Sequence, residues 1–434
     1  MLRNMIYTGA RTRFGAVRAI FSLRVFVVYQ TGHFASNIGF WMQRLAVGWT
    51  IWELTGSEAW LGLVAFAELF PSILTGIWGG ALVDRSSSVR VMFVGSVAVT
   101  LASLSLALFE AAALLTPWLI LIHMLVIGAM TGLVLPARLA MASHLAPPDL
   151  LPVALAVNST GFNLSRFLGP AIAAAMMIVG SVTLVLVVSV VLYVLFVICL
   201  FTLRNTPHSA DRMPGTTAIG TIGARAGDTV STRSAILSIV ALPLILAAIL
   251  IQAVQGLFLR PASELFPAFA EVVFDMGVNG LGLLNAALGV GAVMGALMFP
   301  SIRSSRQAMH QMILGTVAFA TTLLFFSVTT WFPLVLFILV LHGAAMTVSN
   351  IVAMSFVQLS TPRDRLGRVL SVYALVFRAG PAVGAVVFGF GAEHSGLATA
   401  GVMAAVLGLL FTALIYALII RPNVRNDAGL NGVN

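Results

Sequence analysis

Apolar runs of about 20 residues or more recur along the whole chain, and most connections between them are too short to fold on their own. Such a run spans the hydrocarbon core of a bilayer as an α-helix, because only a helix satisfies every backbone N–H and C=O inside the segment. Twelve are legible: 25–51, 59–82, 91–109, 118–137, 151–179, 182–203, 236–268, 277–299, 311–328, 334–358, 369–391 and 397–420. The seventh is long and carries Pro261, so its outer end is expected to bend or to leave the bilayer. Composition demands the same solvent. Of 434 residues 60% are hydrophobic and 9% charged, against roughly 25% charged in a soluble domain.

The first 24 residues carry Arg3, Arg11, Arg13, Arg18 and Arg24. The apolar run after them is too long for a signal peptide and reads as a retained first helix. Residues 204–233, rich in Ser, Thr, Gly, Ala and Arg, read as a flexible linker. The expected organisation is a six-helix half over 1–203, a cytoplasmic linker over 204–233, a second six-helix half over 234–421 and a cytoplasmic tail over 422–434. The N-terminus, every second connection and the tail carry 5, 2, 1, 4, 2, 3 and 2 arginines, 19 of the 23. The opposite connections carry none, and hold Glu53, Glu58, Glu110, Glu271, Asp275 and Glu393 instead. Positive residues stay on the cytoplasmic side, so both termini and the linker are expected there, in a multi-pass protein of the cell (inner) membrane.

The net charge of +9 thus belongs to the membrane edges and is no sign of a nucleic-acid partner. Every basic residue is arginine, and a chain without lysine cannot build the phosphate-holding P-loop. Cys199 is alone, and no H-E-x-x-H or paired C-x-x-C occurs, so neither a metal site nor a cofactor is expected. The halves echo each other. Pro147-Pro148-Asp149 precedes the fifth span and Pro362-Arg363-Asp364 the eleventh; Leu168-Gly169-Pro170 and Ala379-Gly380-Pro381 follow inside them. The expected class is an all-α membrane protein with twelve transmembrane helices in two six-helix pseudo-repeats.

Gly79-Gly80-Ala81-Leu82-Val83-Asp84-Arg85 resembles the signature loop of the major facilitator superfamily. Ser165-Arg166-Phe167-Leu168-Gly169-Pro170 resembles that superfamily's helix-five antiporter motif. Three further segments resemble the branch of the enterobactin exporter and related secretion carriers: Ser36 to Gln43, Pro136-Ala137-Arg138 onward to Pro170, and Leu265 to Ala270. Two departures stand out. Ser86-Ser87-Ser88-Val89 intervene before Arg90 in the loop, and Ser165, Ala173 and Ala174 replace glycines in the helix-five motif. The resemblance implies alternating access, a proton partner and a small-molecule substrate. It implies that Gly80, Asp84, Arg85 and Arg90 form a cytoplasmic gate. It also implies that spans one, four, seven and ten line a central cavity, while two, five, eight and eleven meet across the halves.

The residues add candidates of their own. Gln30, His33, Asn37, Trp41 and Arg44 step by three and four along one face of the first span. Polar groups do not face lipid, so this stripe faces either a water-filled cavity or hydrogen-bond partners in the bundle. His123, Glu264 and His342 lie in the other cavity-lining spans. Glu264 stands four after Arg260, a pairing that either couples protons or locks the outer end. Glu68 is the remaining buried acid. Arg166 and Arg378, just before the two Gly-Pro steps, bind substrate or brace the halves. Small residues four apart, Gly76/Gly80, Gly161/Ser165, Gly291/Gly295 and Gly380/Gly384, allow close helix contact, either sliding or static. Four arginines against two acids inside the spans predict an anionic or strongly polar substrate. The function expected is a proton-coupled exporter of small organic, siderophore-like, anionic or drug-like molecules. An importer and a non-transporting scaffold are the alternatives. No clustered nucleophile and base suggests an enzyme.

Overall fold

The computed structural model describes residues 13–203, 239, 242–298, 305–362 and 365–423. The linker 204–233 and residues 424–434 of the tail lie outside the described residues, as do Arg363 and Asp364. Every regular element among the described residues is helical. After a short helix, Arg13–Phe21, come α1 (Arg24–Thr55), α2 (Glu58–Arg85), α3 (Ser88–Ala111), α4 (Pro117–Leu145), α5 (Leu151–Val179) and α6 (Val182–Leu203). Beyond the linker follow α7 (Pro243–Val273), α8 (Gly277–Leu297), α9 (Ser305–Val328), α10 (Phe332–Ser360), α11 (Leu366–Ser395) and α12 (Leu397–Ile415), the last prolonged by a π turn, Tyr416–Ile420.

Eleven of these helices, α2 to α12, are long and apolar enough to cross a membrane. The exception is α1. With 32 residues it is ~48 Å long, ample for a bilayer. Arg24, Arg44, Glu53 and the polar stripe keep it below the apolarity of the others. The chain is a multi-pass membrane protein.

Helix ends follow local chemistry. Pro152, Pro243 and Pro333 sit in the first turns of α5, α7 and α10, where a missing N–H costs no helical bond. Gly396, at φ +83°, takes a backbone conformation closed to most side chains and so separates α11 from α12 with a single residue. Inside the helices, hydroxyls turn back on their own backbone: Thr100 on Ser96 O at 2.7 Å, Ser189 on Val185 O at 2.8 Å, Thr412 on Gly408 O at 2.7 Å. That is how a hydroxyl is satisfied where no water reaches it.

Two sequence expectations are revised. The fourth span runs past 137 to Leu145, which puts Arg138 inside a helix and takes it out of a connection. The seventh does not end at Pro261. It changes helix type: α from Pro243 to Val254, π over Gln255–Leu259, 3-10 over Pro261–Leu265, an α turn Phe266–Ala268 and a second π turn Phe269–Val273. The proline ring removes one N–H and crowds the preceding turn. The wide turn before it lets the Arg260 N–H reach Gln255 O at 2.9 Å, and Ser263 donates to Arg260 O through its hydroxyl at 2.9 Å.

By contacts the chain divides into two compact units. One takes its described residues from Met1–Ala46, Leu74–Leu115 and Leu125–Thr221, the other from Val47–Ile73, Thr116–Met124 and Ile222–Asn434. The first has a core of Phe26, Tyr29, Met92, Val134, Met141, Phe196 and Leu200. In the second, Ile251, Val254, Met309, Met312, Phe356 and Tyr373 pack together.

Candidate functional site

In the first unit, the C-terminal part of the α1 stripe is built around Trp41. The guanidinium carbons of Arg44 and Arg166 lie 5.6 and 5.4 Å from the centre of its indole, and the Phe162 ring meets it edge-on at 6.2 Å. Gly169, of the α5 Gly-Pro step, brings the two helices together here. A Cβ added to it would fall 2.5 Å from Trp41 Cβ and 3.0 Å from Ile38 O. Ser165 is fully buried beside it and donates to Gly161 O at 2.8 Å, and Pro170 is buried too. Trp41, Arg44 and Arg166 are half-buried and Phe162 is 42% exposed, so the cluster keeps an open side.

The N-terminal part of the stripe is buried. His33 and Asn37 are buried, with the Asn37 amide 3.4 Å from His33 Nε2 and the His33 ring stacked on Tyr29 at 5.4 Å. Gln30, also buried, sits beside Gly161 of α5. Arg138 reaches this group from α4 and interacts electrostatically with Tyr29, His33 and Tyr193. Along the stripe, Gln30, His33 and Asn37 are buried, while Trp41 and Arg44 are half-buried.

In the second unit, the π turn of α7 places Arg260 against α10 and α11. Its Nη2 donates to Asn350 Oδ1, and its guanidinium carbon lies over the Phe377 ring, 4.3 Å from the centre. Beneath it, the Gln255 amide donates to Thr316 and Ser349 hydroxyls at 2.7 Å each, and Tyr373 Oη donates to Gln252 Oε1 at 3.1 Å. Gly256 makes room: a Cβ there would stand 3.0 Å from Gly380 and from Pro381 of α11. Glu264 lies half-buried in the 3-10 turn. From Pro261 the helix between Arg260 and Glu264 is of the 3-10 type, and both residues hold further interactions.

The other candidates are placed as follows. His342 is buried, its Nδ1 2.9 Å from Thr322 Oγ1 and its ring 4.4 Å from Phe319. His123 Nδ1 donates to Leu119 O of its own helix at 2.7 Å. These contacts favour packing roles for both histidines. Glu68 is buried on α2. Arg85 and Arg90 are exposed, a Cβ added at Gly80 would meet nothing within 4 Å, and the Asp84 side chain lies outside what is described. The small-residue pairs meet their own half. Gly76 faces Gly132 of α4; Gly291 and Gly295 face Val340 and Ala344 of α10; Gly380 and Gly384 face α7.

A seam that was not legible joins the first turns of α2 to the last turns of α11. Glu393 caps α2 from outside that helix, accepting from Ser57 Oγ at 2.6 Å and from the Ala59 N–H at 3.0 Å. A carboxylate there also meets the positive end of the helix dipole. Below it, a Cβ on Gly62 would land on the Ala385 carbonyl oxygen, and one on Gly389 would stand 2.5 Å from Glu58 O. Further along, Arg378 Nη1 donates to Ser72 Oγ at 3.3 Å. Gly62 and Gly389, glycines inside apolar runs, were the available signal.

Residues 16–430 match the family described as transmembrane secretion effector. The staphyloferrin A transporter of Staphylococcus aureus is 24% identical over 180 residues, 40% of this chain and 45% of that protein. The enterobactin exporter EntS of Salmonella paratyphi A is 30% identical over 158 residues, 36% of this chain and 37% of that protein. The aligned part spans less than half the length of either relative. Two solved structures share the fold. The nucleoside transporter NupG aligns with a TM-score of 0.70 at 14% identity, covering 91% of this chain and 98% of that one. A bacterial homologue of the human lysosomal transporter Spinster, inward-facing and unoccupied, aligns with a TM-score of 0.68 at 14% identity, covering 92% and 97%. Relatives and fold neighbours are transporters, not enzymes. The chain belongs to the transmembrane secretion effector family of the major facilitator superfamily.

Proposed function

We propose that this chain is a twelve-span, proton-coupled exporter of small organic anions, working by alternating access in the inner membrane with both termini in the cytoplasm. In this reading α1 is the twelfth span, and the two halves are six-helix repeats. The observation that carries it is the pair of guanidiniums, Arg44 and Arg166, on the one half-buried indole of Trp41. Cations inside a membrane span face protein or water, not lipid. Two on one ring make a positive surface with an aromatic floor, suited to an organic anion. Export is supported by the enterobactin exporter among the relatives. Proton coupling rests on Glu264 and Glu68 as the acids inside the spans.

The test is transport by purified protein in liposomes under an imposed pH gradient, with a panel of organic anions and their neutral amides. Arg44→Gln is expected to slow anion movement tenfold or more and to leave neutral analogues little changed. Glu264→Gln should permit exchange while removing pH-driven accumulation. Movement of neutral lipophilic compounds alone would defeat the anion reading, and full pH-driven accumulation by Glu264→Gln would defeat the coupling.

A further inference from the structure

We infer that the short helix Arg13–Phe21 lies in the headgroup layer of the bilayer and binds anionic phospholipid there, with Val17 and Phe21 entering the acyl region and Arg18 and Arg24 meeting the phosphates. Such a lipid contact is independent of the molecule transported.

The helix has three distinct faces. At about 100° per residue, Ala16, Ala19, Ile20 and, just past the helix end, Leu23 fall on one side. Ala19 and Ile20 are buried, and all four pack into the core of the first unit. Val17 and Phe21 stand roughly 100–140° round from Ala16, and they are 41% and 48% exposed. Arg18 and Ser22 follow on the far side, also exposed. One side is thus held by protein, the next is apolar and open, and the third is polar. A helix wholly in water gains nothing by exposing two large apolar side chains, and a helix wholly in hydrocarbon cannot carry an arginine face. A helix lying along the interface meets both demands.

Its neighbours fix where it lies. Only Ser22 and Leu23 separate it from α1, so its end is within about 7 Å of that span. The Phe21 ring meets Phe26 of α1 edge-on at 6.1 Å. In the core that Ala19 and Ile20 join are Val89 and Met92 from the opening turns of α3, Leu145 from the end of α4, and Leu150 and Ala154 from the start of α5. These are the ends of helices, where spans leave the hydrocarbon. Arginine dominates the surface there. Arg18, Arg24, Arg85 and Arg90 are all exposed, and the acids in the same connections are Asp84 and Asp149. An anionic lipid surface favours each nearby arginine by roughly fivefold in association.

The experiment places a fluorophore on Val17→Cys in a Cys199→Ala background. The purified full-length chain is reconstituted in phosphatidylcholine nanodiscs that contain increasing amounts of phosphatidylglycerol or phosphatidylcholine, each bearing a nitroxide high on one acyl chain. Both lipids should quench the fluorophore, phosphatidylglycerol at a roughly tenfold lower mole fraction. Arg18→Gln with Arg24→Gln should cut that preference about fivefold or more, while Arg18→Lys with Arg24→Lys should keep it. Quenching by neither lipid, equal quenching by the two, or a preference that survives the paired glutamine substitutions overturns the inference. So does a preference abolished by millimolar glycerol phosphate in solution, which would mark a seat for free phosphate and not a bilayer contact.

Discussion

A methyl group added at Gly389 is expected to force open the seam between α2 and α11. The Cβ of Gly389→Ala would stand 2.5 Å from Glu58 O and 3.2 Å from Gly62 Cα, where ordinary contact begins at 3.4 Å. Both obstacles are backbone, so no side chain can swing aside, and the helices must separate by about 1 Å or the closed seam must give way. Overpacking of this kind costs typically about 1–3 kcal/mol. If that cost falls only on the closed arrangement, it shifts the equilibrium toward the open one roughly 5- to 150-fold. Alanine is also the better helix former, but that gain is common to both arrangements and cancels. Spin labels at Glu53 and Ser395, both exposed at this end of the second unit, would report the separation by pulsed electron resonance in a Cys199→Ala background. Gly389→Ala should move the distance distribution to longer values, and Gly62→Ala should do the same. Gly391→Ala is the control, since it lies on the same helix with nothing within 4 Å of its Cβ position. Distributions unchanged in both seam variants would show that the contact is not closed in the working protein.

Glu393→Gln keeps the shape of the cap and loses its charge; because Glu393 is exposed, the loosening of the seam should amount to about 1 kcal/mol or less, read with the same labels. Asp84→Asn is expected to abolish transport in liposomes while insertion and thermal stability stay intact; normal transport would reduce the loop to a turn. A Thr217→Cys variant in the same Cys199-free background should react with an impermeant maleimide in inside-out vesicles only. Labelling in intact cells would reverse the topology.

The sequence was most legible where one physical constraint dominates. Bilayer thickness sets span length, so eleven helices are found close to where hydropathy puts them. The Gly-Pro echo was legible for a related reason. Gly169 packs on α1 and Gly380 on α7, the same pairing in each half, because only glycine admits so close an approach. Arg138 was misplaced because a charged residue two positions after a proline reads as a helix end. In the structure Pro136 is absorbed inside α4, and the arginine lies near Tyr29, His33 and Tyr193. The Glu393 cap was out of reach altogether, since it joins residues 336 apart in the chain, and no periodicity encodes a contact between distant helix ends.

The wide turn at Gln255–Leu259 also matters to any comparison between this chain and a relative. A π turn is in effect one residue inserted into an α-helix, so it shifts the phase of everything after it by about 100°. Aligned without a gap to a helix that lacks the insertion, residues from Arg260 onward would be matched to neighbours on the wrong face. A lipid-facing position in one protein would then be equated with a cavity-facing one in the other. Correspondence along α7 has to be counted separately from each end, with a one-residue gap allowed between Val254 and Arg260.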